Sequence, residues 1–435
     1  MPARRLASVA ALLVACKGAA PEPPAPAPPP PDASTPADAL TPADGLKPAD
    51  ALTPADASPP PEASPRGPPS TSAISAPDPP DGSALDCRVL RGPIELPIRA
   101  PPALGFRGDV MEAVFNDNGL PRTIALQAGP VTLAPVPAGR ERADGDKALG
   151  LAIPCAVAAD QIFCPDRSGA IHRSTRGAAE DRVVASSRVA TRIAAAPIGG
   201  AHTALAYLAS RQTSEGWVSE AWLALDDAPP LRVSDDGSGA TGVALGQRGG
   251  AILALMIDAR TALTAMHART ISYGNPPRLG EDSVVFVGGP GDRRTRAAFS
   301  VAASGPSWAF LPIAKDVGSF GLAIVRIDDP PGVDEPVVWS MYPNGLDPAP
   351  IAAATSCAGS PVTWVARVRP RSSEPSSPRV LELGRLVGAG VFATRGVLPT
   401  TGNPTDVGLA VDPFGALWLA WLDGGGSWIE RLFCR

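Results

Sequence analysis

His172, His202 and His267 are the only imidazoles in the 435 residues, so acid–base or metal chemistry would be sought there first. Imidazole titrates near neutrality and binds divalent metals, but a metal centre needs several ligands at compatible spacing. No two of these histidines stand at such spacing. Neither a His-Glu-x-x-His run nor a Gly-x-Ser-x-Gly elbow occurs. A triad drawn from distant segments would leave no such mark, yet strand and turn positions make these histidines ordinary polar residues by default.

Other constellations have plainer explanations. Gly237-Ser-Gly239-Ala-Thr-Gly242 matches a dinucleotide fingerprint by letters. The next segment, Val243-Ala-Leu245, reads as a strand, so no helix N-terminus would be there to hold a pyrophosphate. Asp226-Asp227, Asp235-Asp236 and Asp328-Asp329 lack the alternating ligand set of a calcium loop and read as turn chemistry. Arg293, Arg294 and Arg296, and Arg367, Arg369 and Arg371, are expected on solvated loop or strand faces. An anionic glycan or lipid headgroup is the alternative for them. The eight tryptophans, Trp217, Trp222, Trp418, Trp421 and Trp428 among them, are expected mostly in sheet packing, with one or two free to stack on sugars at a rim. No residue is therefore assigned as catalytic, cofactor-binding or metal-ligating, and no cofactor is expected.

Cys16 carries a clearer signal. Met1–Arg5 is a basic leader and Leu6–Ala15 a short apolar run, too short to span a bilayer but suited to a signal peptide. The run ends in Leu13-Val14-Ala15-Cys16, which resembles the lipobox of bacterial lipoproteins. That resemblance implies a signal peptide over 1–15, diacylglycerol on the Cys16 thiol, and a membrane held through the lipid. By similarity to enteric lipoproteins, Lys17 after the lipid implies the outer rather than the inner membrane.

Residues 16–83 read as a tether. Proline, alanine and threonine dominate, and a hexad of the form Thr-Pro-Ala-Asp-Ala-Leu recurs from Thr35 to Ser58. A proline every sixth residue prevents a continuous helix and favours extended chain, with too little apolar bulk to offset the entropy of ordering. Such a segment reaches roughly 200 Å as stiff polyproline or about 45 Å as a coil, and is expected to be a disordered spacer. Of the net charge of −5, residues 17–83 hold nine acids and three bases, and Arg4 and Arg5 offset part of that. Residues 84–435 are left nearly neutral, which argues against nucleic acid as a partner.

From Cys87 onward, short apolar runs alternate with Gly, Pro, Asp and Ser, the signal of an all-β chain. An Ala/Gly-rich strand, a tight turn, a stronger strand and a polar turn recur. The stronger strands begin near Val110, Ile162, Leu205, Ile252, Trp308, Thr363 and Leu417, separated by 52, 43, 47, 56, 55 and 54 residues. A period near 50 points to a β-propeller over 84–435 with seven four-stranded blades, the Ala/Gly strands innermost. Within Val411-Asp-Pro-Phe-Gly-Ala-Leu-Trp-Leu419, the Asp-x-x-Gly turn before an aromatic strand resembles blades of NHL and two-component-regulator propellers. The last unit shows only three strands, and residues 88–98 are expected to supply its outer strand and close the ring. Two successive β-sandwiches are the competing architecture.

The fold makes the other cysteines informative. With Ala159-Asp160 as a two-residue turn, Cys155 and Cys164 face each other where side chains lie closest, so a disulfide is geometrically easy. Cys87 and Cys434 would be neighbours at the end of the closing pair, where a second disulfide would gain roughly 4–5 kcal/mol of nominal loop entropy. Cys357 is left over as a small buried hydrophobe. The chain is expected to be a monomeric, lipid-anchored cell-envelope protein that binds a protein or polysaccharide without catalysis. A polysaccharide or peptide lyase or hydrolase, with its site in the propeller channel, is the alternative.

Overall fold

The computed structural model describes residues 86–435 except 130, 132–140, 145–148, 152, 176–180, 187–191, 199–201, 215, 236–238, 249–250, 259–263, 275, 289–296, 302–306, 317–318, 328–336, 343–350, 357–361, 372–376, 388–390, 399, 401, 425 and 435. The expected signal peptide over 1–15, Cys16, the expected tether over 16–83 and Cys357 lie outside the described residues.

The described chain forms seven sheets, antiparallel apart from one short added strand, and no helix, a seven-bladed β-propeller. The second strands of the blades begin at Val110, Gln161, Thr203, Ala251, Ser307, Val362 and Leu417, each within two residues of the positions read from the repeat. First strands such as Ile193–Pro197 and Ile351–Ser356 are alanine-rich and sit innermost, where successive blades crowd together. Small side chains are needed there: a Cβ on Gly246, in the first strand of blade 4, would collide with Val301 beside the first strand of blade 5.

The core is distributed between blades. A strand sends alternate side chains to its two neighbours. On Thr203–Thr213, Leu205 and Tyr207 pack on Phe163 and Ile171 of blade 2, whereas Ala204, Ala206 and Leu208 pack on Ile252, Ala254 and Met256 of blade 4. Each of the seven blade interfaces holds one such apolar cluster.

Cys87–Leu96 pairs antiparallel with Ser427–Cys434 as the outer strand of blade 7, and Cys87 stands opposite Cys434. Their disulfide joins residues 347 apart in sequence. Two register shifts interrupt the pairing, and in the second Gly92 (φ 105°), a conformation that favours glycine, lies close to Ile429 O and Glu430 Cα, so that a Cβ there would be crowded. In blade 2 the Ala156–Ala158 and Gln161–Pro165 strands turn at Ala159-Asp160 and are followed in register by the Cys155–Cys164 disulfide, Cα–Cα 4.4 Å.

Two blades depart from the expected four strands. Blade 1 has three described strands, Ala103–Arg107, Val110–Asp117 and Leu120–Gln127. The chain then crosses to blade 7, where Glu141–Arg142 adds a fifth, parallel strand beside Cys87–Leu96. Blade 3 has a fourth strand of only two residues, Leu231–Arg232, against the ten-residue Gly216–Leu225.

The ring has two faces. One carries the first-to-second and third-to-fourth strand turns, here the hairpin face. The other carries the second-to-third turns and the links between blades, here the crossover face. Cys87 begins its strand at the hairpin face.

Candidate functional site

Each of the three histidines, expected as an ordinary polar residue, has an aspartate partner, and the three pairs occupy different blades. On the hairpin face, Asp226 begins the turn after Gly216–Leu225, with Thr203 opposite it. His202 immediately precedes Thr203, so the strand pairing brings imidazole and carboxylate together, Nδ1–Oδ2 2.6 Å. Tyr273, just past the third strand of blade 4, donates its hydroxyl to Asp226 Oδ2 at 3.0 Å, and His202 Nδ1 lies 3.0 Å from that Tyr273 hydroxyl oxygen. The two rings are 5.0 Å apart between centroids.

Burial pushes the Asp226 carboxyl up. The Thr203 N–H, His202 and Tyr273 hydrogen bonds, with the attraction of His202, outweigh it and hold the group below the usual carboxylate range. Tyr273 is raised, by partial desolvation first and then by Asp226. His202 and Asp226 side chains are 52% and 32% exposed, and Tyr273 44%, so a solvent-facing cluster is held in one geometry by its own hydrogen bonds. Beside it Arg173 reaches Asp227 at 2.8 Å. The arrangement offers a fixed carboxylate, an oriented imidazole and an aromatic ring to a polar ligand.

On the crossover face, His172 Nε2 meets Asp166 Oδ2 at 3.0 Å. Asp166 is desolvated, yet hydrogen bonds from Ser168, His172 and Ala170 hold its pKa at about 2. The Asp166 carboxylate ties an Asp-x-x-Gly turn, as Asp412 does in blade 7. This pair is built into a turn rather than presented.

The third pair lines a small cleft between blades 3 and 4. His267 Nδ1 meets Asp282 Oδ2 at 2.9 Å, and Arg269 bridges Asp282 (3.5 Å) to Asp235 (3.8 Å). Ser234, Asp235, Asp258, His267 and Asp282 supply its polar lining. The Ser234 hydroxyl accepts the Ala221 N–H and donates to the Asp235 carbonyl, so its hydrogen bonds are local. Among the described residues, no group of three or more His, Cys, Asp and Glu side chains is placed to hold a metal ion.

Other positions singled out in the sequence divide. Gly239 leads into the strand Ala240–Arg248, while Gly237, Ser238, Asp236, Asp328, Asp329, Arg293, Arg294 and Arg296 lie outside the described residues. Arg371 is exposed. Arg367 and Arg369 are not solvated: both are buried, 2.7 and 3.0 Å from the fully buried Glu382 between blades 5 and 6. That pairing has no sequence signal, because it arises from neighbouring strands 13 and 15 residues apart. Trp418, Trp421 and Trp428 are buried, and Trp217 is 62% exposed.

No family model matches this chain, and no curated protein does. Among solved structures, the chain is similar to the N-terminal domain of Nup159, with 12% identity and TM-score 0.41 over 80% of this chain and 94% of that one. It is similar to the Aleuria aurantia lectin, with 12% identity and TM-score 0.35 over 63% and 92%. The Trypanosoma rangeli sialidase aligns with 8% identity and TM-score 0.34 over 79% and 58%.

Proposed function

We propose that this protein is a lipid-anchored binding module of the cell envelope that presents a propeller face to a protein or polysaccharide and performs no catalysis on it. The observation that carries this reading is the exposed Tyr273–His202–Asp226 cluster, whose groups are oriented by one another before any ligand arrives. The chain enters the propeller at Cys87 on the same face. In this reading the lipid on Cys16 holds the protein at the outer membrane, residues 17–83 are the spacer, and the propeller acts as a monomer.

The test is retention of the full chain on peptidoglycan, outer-membrane polysaccharide and solubilised envelope protein. Saturable retention on one fraction, weakened at least fivefold by the His202→Ala/Tyr273→Ala double variant, is expected. Retention on none of them overturns the proposal.

An envelope hydrolase or lyase is the second reading, and the Asp282-oriented imidazole of His267 favours it. Its test is turnover of the same polymers that His267→Ala abolishes.

A further inference from the structure

The hairpin-face cluster turns its donors inward onto one carboxylate. Asp226 Oδ1 accepts the Thr203 N–H at 3.0 Å, and Oδ2 takes His202 Nδ1 at 2.6 Å and the Tyr273 hydroxyl at 3.0 Å. Burial raises this carboxyl, but those bonds and the attraction of His202 outweigh it, so at neutral pH it is ionised and can only accept. Nδ1 of the neutral imidazole then carries the proton, and the lone pair is left on Nε2. No described residue bonds to Nε2, and the His202 side chain is 52% exposed. The cluster therefore shows solvent an acceptor beside the Tyr273 ring, which is tilted 40° from the imidazole.

The surroundings bear on the charge and size of what binds there. Arg173 holds the neighbouring Asp227 at 2.8 Å, so that guanidinium and that carboxylate answer each other. Since Asp226 already has three donors, the cluster offers neither a cation to an anionic ligand nor an open carboxylate to a basic one. The turn backbone is also in use. Asp226 N–H bonds Thr203 O, Ala228 N–H bonds Leu225 O, and Ile198 N–H bonds His202 O, so these groups cannot pair with an extended peptide.

A protein partner needs a broad patch with an apolar centre, about 800 Å² on each side. Among the described residues, Tyr273 is the one large apolar side chain exposed at a hairpin-face turn. Leu120 and Trp217 begin third strands at the crossover face, Leu149 lies two residues from the Leu151–Asn116 bond of that face, and Val284 and Val287 lie within the outer strand Arg278–Gly288. One ring with one acceptor beside it matches a single sugar unit, whose hydroxyls donate and whose C–H face packs on an aromatic.

We propose that the Tyr273–His202 surface binds an uncharged polysaccharide, with a sugar hydroxyl donating to His202 Nε2 and the C–H face of the same sugar packed on the Tyr273 ring. This rests on the cluster being the binding site and narrows its ligand from protein or polysaccharide to one class. Asp226 fixes the imidazole in advance, so the freedom lost on binding is mainly that of the ligand.

The experiment titrates the full chain with three soluble pools prepared from the envelope fraction that retains it: uncharged polysaccharide, acidic polysaccharide and protein. The two polysaccharide pools are freed of lipid and peptide and separated by anion exchange. The uncharged pool is expected to half-saturate the chain at a mass concentration at least tenfold below that of either other pool. Raising NaCl from 50 to 500 mM should move that concentration by less than twofold. His202→Ala/Tyr273→Ala should raise it at least fivefold, and in the unaltered chain the 15N resonance of His202 Nε2 should move on binding while that of Nδ1 holds. Half-saturation by the acidic or the protein pool at an equal or lower concentration overturns the inference and leaves the binding module standing. So does binding of the uncharged pool that the double variant does not change. Retention on no fraction overturns both.

Discussion

Arg431 and Asp412 form a buried ion pair, Nη2–Oδ2 2.6 Å, that fastens the last blade to the first. Asp412 also accepts the Trp418 indole N–H, while Arg431 donates to the Ala128 and Gly129 carbonyls of blade 1 and lies over the Phe414 and Trp418 rings. Removing one member leaves the other charged, buried and unpaired. Asp412→Ala should therefore destabilise the propeller by about 3–5 kcal/mol, read as a lowered urea midpoint. A change below about 1 kcal/mol would show that the closure does not rely on this pair.

The two disulfides should differ in their effect on stability. Cys87–Cys434 spans 347 residues and Cys155–Cys164 only 9. On the loop-entropy account, replacing the first pair by serine should cost about 5–6 kcal/mol and the second about 2–3 kcal/mol. Urea unfolding of the two double variants checks the order. The reverse order would mean that the folded state, rather than the unfolded chain, sets the effect.

Glu430 makes stability fall as pH rises. It shares a strand face with Trp428 and Leu432, packed toward blade 6, and burial pushes its carboxyl up to about 7 from an ordinary value of 4.5. Between those values the folded chain holds a proton that the unfolded chain has lost, so the stability present below pH 4.5 drains away up to about pH 7. The loss at this group is at most about 3 kcal/mol. Glu430→Gln should flatten that part of the stability curve and raise the melting temperature at pH 8. An unchanged curve would place the acid in contact with water.

The hairpin-face cluster should matter to binding and little to folding. His202, Asp226 and Tyr273 are partly or largely exposed, so His202→Ala or Tyr273→Phe should shift stability by no more than about 0.5 kcal/mol. The same variants should weaken retention on the envelope fraction that holds the wild type. A large loss of stability would recast the cluster as a clamp between blades 3 and 4.

Tolerance to a side chain should vary around the ring in a way the repeat alone does not mark. Gly246→Val should prevent the first strands of blades 4 and 5 from approaching and lower expression of soluble protein. Gly108→Ala has open space around it, and its φ of 62° limits the cost to about 1 kcal/mol of backbone strain. Limited proteolysis of the two variants distinguishes them.

Much of the architecture was legible from local chemistry. Apolar strands at a period near 50, punctuated by Gly, Pro and Asp, define seven units, because each small sheet can bury its faces only against a neighbour. The same alternation placed Cys155 opposite Cys164 across a two-residue turn, and the unfilled edge of the last unit called for residues near Cys87. These are consequences of strand period and pairing, which operate over a few residues or through a single missing strand.

The candidate site was not legible, because it depends on which side chains different blades turn toward one another. His202 and Asp226 meet because Thr203 lies opposite the turn that begins at Asp226, and Tyr273 joins them from another blade. The buried Arg367 and Arg369 read as solvated because Glu382, which neutralises them, comes from the next strand. Sequence by itself determined the repeat, its count and its cysteine pairing, since these follow from periodicity. Only the tertiary structure decided which charges are paired and which histidines are presented, since those depend on distances between residues that the chain holds far apart.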